Sequence, residues 1–372
     1  MRSKYRELGE LIEKVDIRNT DGSVNTLVGV SIEKCFIKSV ANTIGTDLTK
    51  YKVIRRNEFA VSLMQVSRDE KIPVARLTEY DVAIMSPAYP IFKVKDESVI
   101  LPEYLDMWFK RSEFDREASF IAVGGVRGSM PYEEFCRMKI LVPSLEEQRR
   151  LVCDYQIIID RIALKQRIND NLAYTAQAIY QSWFVNYEPF GGVLPNNWRY
   201  GNVDEIAEFY DSMRKPLSSL ERADMKRMYP YYGAVAIVDY VEDYLFDGEY
   251  ILLSEDGIYV VDECGHPLIQ HIKGKFWANN HAHILKGKSP FNEDSLHLFL
   301  RNTNMATIVT GAAQPKINQA NLKLFPILIP SKDVIIRFNA IVSPIFDKIL
   351  NNTTEIIKLE ELKTILITKM SV

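Results

Sequence analysis

The longest regular signal in the chain is a seam of apolar positions. Through Leu151, Tyr155, Ile158, Ile162, Lys165, Asn169, Leu172, Ala176, Ile179 and Trp183 the steps alternate four and three, and eight of the ten positions are apolar or aromatic. That heptad spacing predicts one long amphipathic helix. A second seam passes through Phe338, Val342, Ile345, Ile349, Asn352, Ile356, Leu359, Lys363, Leu366 and Met370, again with eight apolar positions of ten. It is the first seam displaced by 187 residues. Two matching seams predict an antiparallel, coiled-coil-like pair, with Lys165 and Asn352 in one polar slot that would fix the register at some cost in stability. Ordinary amphipathic core helices are the plainer alternative. Pro344 is expected to kink or split the second helix near its start.

The same offset holds ahead of the helices. Gly124 to Ser144 aligns without a gap on Gly311 to Ser331, placing Gly124 on Gly311, Ile140 on Ile327, Leu141 on Leu328, Pro143 on Pro330 and Ser144 on Ser331. Further upstream the agreement slips and then fades. A duplication of this kind predicts two units with a shared frame and different surfaces. Short β-branched and aromatic runs, Val82 to Ser86, Tyr250 to Leu253 and Phe325 to Ile329, are bounded by Gly, Pro, Asp and Asn, as strands are. Pro189-Phe190-Gly191-Gly192 followed by Pro195-Asn196-Asn197 marks a linker. The expected fold class is α+β: two mixed globules related by an internal repeat and separated by two long helices. The expected boundaries are 1–143 for the first globule, 144–187 for the central helix, 188–330 for the second globule and 331–372 for the terminal helix.

Composition narrows this picture little. A chain of 372 residues suits two or three domains, and 47% hydrophobic with 26% charged residues is ordinary for a globular protein. No apolar stretch is long enough to suggest a membrane span, and the opening MRSKYRELGELIEK lacks the apolar core of a secretory signal, so the cytoplasm is expected. Cys35, Cys136, Cys153 and Cys264 lie far apart without a C-x-x-C pair, which argues against a disulfide framework or zinc ribbon and for buried, reduced thiols. The net charge of −3 excludes a chain-wide basic field. Any nucleic-acid surface must be local. One excess exists between Glu33 and Arg56, where Lys34, Lys38, Lys50, Lys52, Arg55 and Arg56 face two acidic residues.

The search for catalytic signatures fails. Ala282 to Ser289 fits a loose phosphate-loop pattern, but its interior lacks glycine and reads as a strand. His281 and His283 could share a strand face, yet no nearby Cys or third His completes a metal site. No glycine-rich cofactor loop, no D/N-P-P-Y/F methylation motif and no triad can be nominated. Binding surfaces remain. Asp211 to Lys215, Arg222 to Arg227 and Tyr229 to Gly233 interleave basic and aromatic side chains, which suits phosphate contact and base packing and nominates Arg214, Lys215, Arg227, Tyr231 and Tyr232. In the repeated loop, Arg127 and Ser129 correspond to Gln314 and Lys316. Arg pairs with guanine and Gln with adenine in the major groove, so Arg127 and Gln314 are the base-edge candidates.

The order of these motifs resembles the specificity subunits of type I restriction-modification systems. The resemblance rests on PSLEEQRR (Pro143 to Arg150), QSWFVN (Gln181 to Asn186), LPNNWR (Leu194 to Arg199), the segment Tyr229 to Gly257, NNHAH (Asn279 to His283), TGAAQPKI (Thr310 to Ile317) and IPS (Ile329 to Ser331), and it covers essentially the whole chain. Tyr5-Arg6-Glu7-Leu8 departs from the pattern by lacking the tryptophan found at Trp198. The resemblance implies a noncatalytic subunit with two target recognition domains, each reading half of a split sequence in double-stranded DNA. It implies helices that set the spacing and dock two modification subunits, through Leu151, Tyr155, Ile158, Ile162, Leu172, Ile179 and Trp183 and through Phe338, Val342, Ile345, Ile349, Leu359 and Leu366. S-adenosylmethionine, ATP and Mg would belong to the modification and restriction subunits, with no cofactor or metal in this chain. A protein-only scaffold with two peptide-binding globules, or an enzyme with an unrecognised site, are the alternatives.

Overall fold

The computed structural model describes residues 5–39, 46–123, 128–257, 260–311 and 313–370. They form two compact units, Met1–Ala163 with Ile357–Val372, and Leu164–Ile356. The two expected long helices are present as Leu145–Phe184 and Lys332–Lys369. Their first residues are 187 apart, as the repeat requires. Every seam position named above is buried or half-buried, whereas the positions between are mostly exposed.

The polar slot is filled by mutual hydrogen bonds. Lys165 Nζ donates to Asn352 Oδ1 at 3.1 Å and pairs with Glu355 at 2.6 Å, while Asn352 Nδ2 donates to Asn169 Oδ1 at 2.9 Å. Farther along, Trp183 packs on Phe338 with ring centroids 5.7 Å apart. One sequence number rises as the other falls, so the helices are antiparallel. Lys165 and Asn352 are each other's repeat equivalents and touch, as equivalents must where an antiparallel pair crosses its approximate twofold. A buried Asn with its partners supplied fixes the register, because a shift by one turn would leave its amide unpaired.

Pro344 corrects one expectation: it does not split the second helix, which runs unbroken through it. Pro344 lies on the exposed side, where the carbonyl it leaves unpaired, that of Ala340, can bond to water. Phe338, Val342 and Phe346 are buried on both sides of it and hold the helix in place.

Each unit has the same closing frame. In the first, the strand Tyr5–Glu7 pairs antiparallel with Lys139–Leu141; in the second, Arg199–Asn202 pairs antiparallel with Pro326–Ile329. A short helix follows each opening strand, Leu8–Leu11 in one and Val203–Ile206 in the other. Another precedes each closing strand, Tyr132–Arg137 and Gln319–Lys323. Tyr5 therefore opens its unit as Arg199 does, even without an equivalent of Trp198. Trp198 itself is buried against Phe184, Phe190 and Tyr187 at 5.0–5.9 Å.

Between these shared ends the units differ. The first carries a four-stranded antiparallel sheet in the order Ile12–Val15, Ile91–Val94, Phe59–Val61, Val74–Arg76. Its core gathers Phe59, Phe92, Phe109, Phe114 and Phe135. The second carries six strands in the order Ala207–Phe209, Ala282–Gly287, Phe246–Ser254, Ile269–Ala278, Tyr229–Tyr232, Ile237–Val241. Its main core centres on Phe184, Phe299 and Phe338. Ala282–Gly287 is thus a strand and not a phosphate loop.

The cysteines also correct an expectation. All four are free thiols, but Cys35, Cys153 and Cys264 are exposed and only Cys136 is half-buried. Cys153 falls between seam positions, and Cys264 lies in a turn. Among the described residues no helix is long and apolar enough to cross a membrane.

Candidate nucleic-acid interface

The repeated loop of the second unit is a tight hairpin. Val309–Thr310 pairs antiparallel with Lys316–Ile317, and Gly311 turns the chain with φ +84°, a left-handed conformation that favours glycine. Gln314 and Lys316 are exposed there. In the first unit the corresponding Arg127 lies outside the described residues. Ser129 is half-buried behind Gly128, which has φ +68° and backs onto Ser67 so closely that a Cβ would collide with it.

A charged cluster anchors the hairpin, and the sequence reading missed it. His283 is fully buried; its Nδ1 lies 2.6 Å from Asp211 Oδ2 and its Nε2 2.8 Å from the Ile317 carbonyl. Asp211 also accepts from the Ile284 amide at 2.8 Å and from Gln319 Nε2 at 2.6 Å. Arg214 joins Glu255 at 2.5 Å, and Glu255 takes Lys316 Nζ at 2.9 Å. The Ile317 amide donates to the Glu255 carbonyl at 2.8 Å. The Lys316–Ile317 strand of the hairpin is therefore tied to Glu255 and His283 at the ends of two neighbouring strands. The signal in the sequence was NNHAH, whose second histidine performs this task, while His281 pairs separately with Asp256 at 2.5 Å.

Three expected DNA contacts are corrected by this geometry. Arg214 is largely buried and committed to Glu255, Asp211 and the Ala282 carbonyl. Tyr231 is buried, and its hydroxyl accepts from the Leu217 amide at 2.9 Å. Lys52 is buried, with Nζ donating to the Tyr89 carbonyl at 2.9 Å and 3.8 Å from Asp16. Each satisfies internal polar groups and has no free face. Tyr232 is half-buried, edge-on to Phe276 at 5.7 Å.

The remaining candidates reach the surface. Lys50, Arg55 and Arg56 are exposed in the first unit, with Lys50 3.5 Å from Asp47 and Arg56 2.8 Å from Asp81. Lys215 and Arg227 are exposed in the second. Arg227 shares Asp239 with Arg222, at 3.0 and 2.9 Å. The Lys215 carbonyl accepts from Trp277 Nε1 at 2.6 Å, and Trp277 pairs with Tyr231 across the sheet, so that stretch is brought together.

Burial alone would raise the Asp211 carboxyl, but the hydrogen bond and charge of His283 outweigh it and hold the group below the ordinary carboxylate range. Burial opposes Glu255 likewise, and Arg214 and Lys316 carry it down. Carboxyls depressed by folding stabilise the fold at neutral pH and lose that contribution as the pH falls through their folded values. The second unit is therefore expected to weaken progressively below about pH 4. Arg214→Ala should cost about 3–5 kcal/mol in urea unfolding, because it strands buried carboxylates. Loss of DNA affinity at unchanged stability would contradict this assignment.

Of the seam residues expected to dock partner subunits, Ile179, Trp183, Phe338, Val342 and Ile345 pack in the core of the second unit and Leu151 and Tyr155 against that of the first, while Leu172, Ile349, Leu359 and Leu366 are half-buried. The apolar side chains that reach the surface lie on the opposite faces. In the first unit these are Ile157, Ile357, Leu362 and Ile365; in the second they include Leu164 and Tyr174.

A family profile described as "Type I restriction modification DNA specificity domain" matches residues 195–366. The chain is 39% identical over 132 residues to the Haemophilus influenzae type I restriction enzyme specificity subunit S.HindORF215P, an alignment covering 36% of this chain and 33% of that protein. It is 22% identical over 296 residues to the MjaIX specificity subunit of Methanocaldococcus jannaschii, covering 73% and 68%. The aligned parts thus span a third of the first relative's length and about two thirds of the second's. Among solved structures, the S subunit of the type I restriction-modification system of M. genitalium shares the fold, with a TM-score of 0.59 at 14% identity, covering 98% of this chain and 95% of that one.

Proposed function

We propose that the chain is a specificity subunit of a type I restriction-modification system, the DNA-reading subunit of such a complex, each globule reading one half of a bipartite target. The duplicated frame carries this reading. Closing strand, short helix and long helix recur at an offset of 187, yet a four-stranded sheet in one unit stands where the other has six strands. Two different surfaces on one frame suit two different half-sites.

In this reading Gln314, at the tip of the anchored hairpin, is the base-edge candidate of the second unit. Arg127 has that role in the first. Lys50, Arg55, Arg56, Lys215, Arg227 and Lys316 meet phosphates. Gln314→Ala is expected to relax one base position at roughly 1–3 kcal/mol, whereas Arg227→Ala should weaken all sequences equally and flatten the salt dependence. Binding titrations over a panel of single-base variants at two salt concentrations separate the two.

The chemistry belongs to partners. Two modification subunits would carry S-adenosylmethionine and flip the target adenine, and restriction subunits would use ATP and Mg, all in the cytoplasm. The exposed apolar side chains Ile157, Ile357, Leu362, Ile365, Leu164 and Tyr174 are suited to receive these subunits. The isolated chain with S-adenosylmethionine is expected to methylate nothing. With a cognate modification subunit it should methylate adenine within a split sequence, read by methylation-site sequencing. Turnover by the chain alone would overturn the proposal.

A further inference from the structure

The strands Tyr229–Tyr232 and Ile237–Val241 form an antiparallel hairpin at the edge of the six-stranded sheet, with Tyr232 opposite Ile237. The turn between them is Gly233-Ala234-Val235-Ala236, closed by the Gly233 amide donating to the Ala236 carbonyl at 2.8 Å. Gln270 holds it in place, its Nε2 donating to the carbonyls of Ala234 and Gly233 at 3.2 and 3.4 Å. The residues at the tip are unlike those of an ordinary solvent turn, which is polar. From Val235 to Val238 all four are apolar and exposed, with Val235, Ile237 and Val238 open to 52%, 40% and 56%. Successive strand residues point to opposite faces, so the exposure of both Ile237 and Val238 leaves neither face of the ribbon covered there.

The tip is rooted beside the hairpin that carries Gln314. The Tyr232 carbonyl, one residue before the turn, accepts from the Asn279 amide at 3.1 Å. Asn279 Oδ1 accepts from the His281 amide at 2.8 Å, and the His281 ring lies 2.5 Å from Asp256. Asp256 in turn forms an antiparallel bridge with Lys316. One network of contacts therefore joins the bases of the two hairpins. The first charged residue after the tip, Asp239, is taken by Arg222 and Arg227 at 2.9 and 3.0 Å. Arg227 stays largely exposed, so the flank of the ribbon is cationic while its tip is uncharged.

We propose that Val235, Ile237 and Val238 are specificity residues that enter the major groove and read the 5-methyl groups of thymine. The inference rests on the DNA-reading role proposed above and extends it from hydrogen-bonded to apolar readout. The major groove, about 12 Å wide, admits a two-stranded β-ribbon, and thymine is the base that offers it an apolar group. A neighbouring glutamine suits the same base pairs, since adenine presents its donor and acceptor to Gln and the thymine opposite presents the methyl. A protein partner fits the tip less well. A stable interface takes about 800 Å² from each side, roughly 20–30 residues, and the tip offers four. The turn is already ordered by Gln270 and its own closing bond, so little freedom is lost on binding.

The test uses the full chain with its modification subunit, on the half-site that stays unchanged when residues 1–143 are exchanged. Each thymidine there is replaced in turn by deoxyuridine, which removes the methyl and keeps the base pair. At one or two positions wild-type affinity should fall roughly fourfold, the worth of one buried methyl. In the triple variant Val235→Ser, Ile237→Ser, Val238→Ser, with folding checked by its melting midpoint, that penalty should vanish. Arg227→Ala should keep the penalty at lower overall affinity. A half-site without A·T pairs, or a deoxyuridine penalty absent from wild type or undiminished in the triple variant, would overturn the proposal. So would a triple variant that reads the target as wild type does but no longer assembles with the modification subunit, which would give the tip to a protein partner. Failure of the wild-type complex to select any DNA sequence would refute the DNA-reading role itself, and the proposal with it.

Discussion

Replacing residues 1–143 with the corresponding segment of a relative is expected to change one half of the recognised sequence and leave the other half intact. The expectation follows from how the unit closes. Its opening strand Tyr5–Glu7 is paired within the segment to Lys139–Leu141, and its aromatic core of Phe59, Phe92, Phe109, Phe114 and Phe135 lies wholly inside it. The side chains that core borrows from elsewhere, Leu151, Val152, Tyr155 and Met370, come from the two long helices, where the seam pattern preserves size and polarity. A transplanted globule therefore finds a matching seat. Methylation-site sequencing of the hybrid with its modification subunit reads the outcome, and a simultaneous change in both half-sites would refute independent reading.

The helices and the duplicated frame were legible in the sequence because each rests on a periodic or repeated signal. A heptad seam needs only local spacing, and its duplicate at a constant offset removes the chance that the spacing is accidental. The sheets were not legible in this way. Their strands are short and pair across long separations, as Phe209 does with Leu285, and no repeat links the four-stranded sheet to the six-stranded one.

The candidate contacts failed for a related reason. A run of basic and aromatic residues looks like a phosphate surface until the carboxylates that neutralise it are known. Arg214 finds Glu255 41 positions away, and Lys52 lies against Asp16. Composition within a window cannot reveal such partners. Gln314 and Lys316 fared differently because a repeated loop ending in a glycine turn is exposed by its own geometry.

The second large effect is expected from lengthening the helices. At about 1.5 Å per residue, a heptad adds about 10.5 Å, close to three base pairs at about 3.4 Å each. The place of insertion is set by the polar slot. Lys165, Asn169, Asn352 and Glu355 hydrogen-bond to one another, so the added heptads belong beside them, between Ile162 and Lys165 in the first helix and between Glu355 and Leu359 in the second. Both seams then stay in phase, and the buried amide of Asn352 keeps its partners. If the helices set the gap between half-sites, the lengthened protein should prefer a gap about three base pairs longer, or lose activity because DNA turns over those pairs while the rod does not. Methylation of a target series differing only in gap length distinguishes these results. Full methylation at the original gap, with both helices folded, would mean that something other than the helices measures the distance.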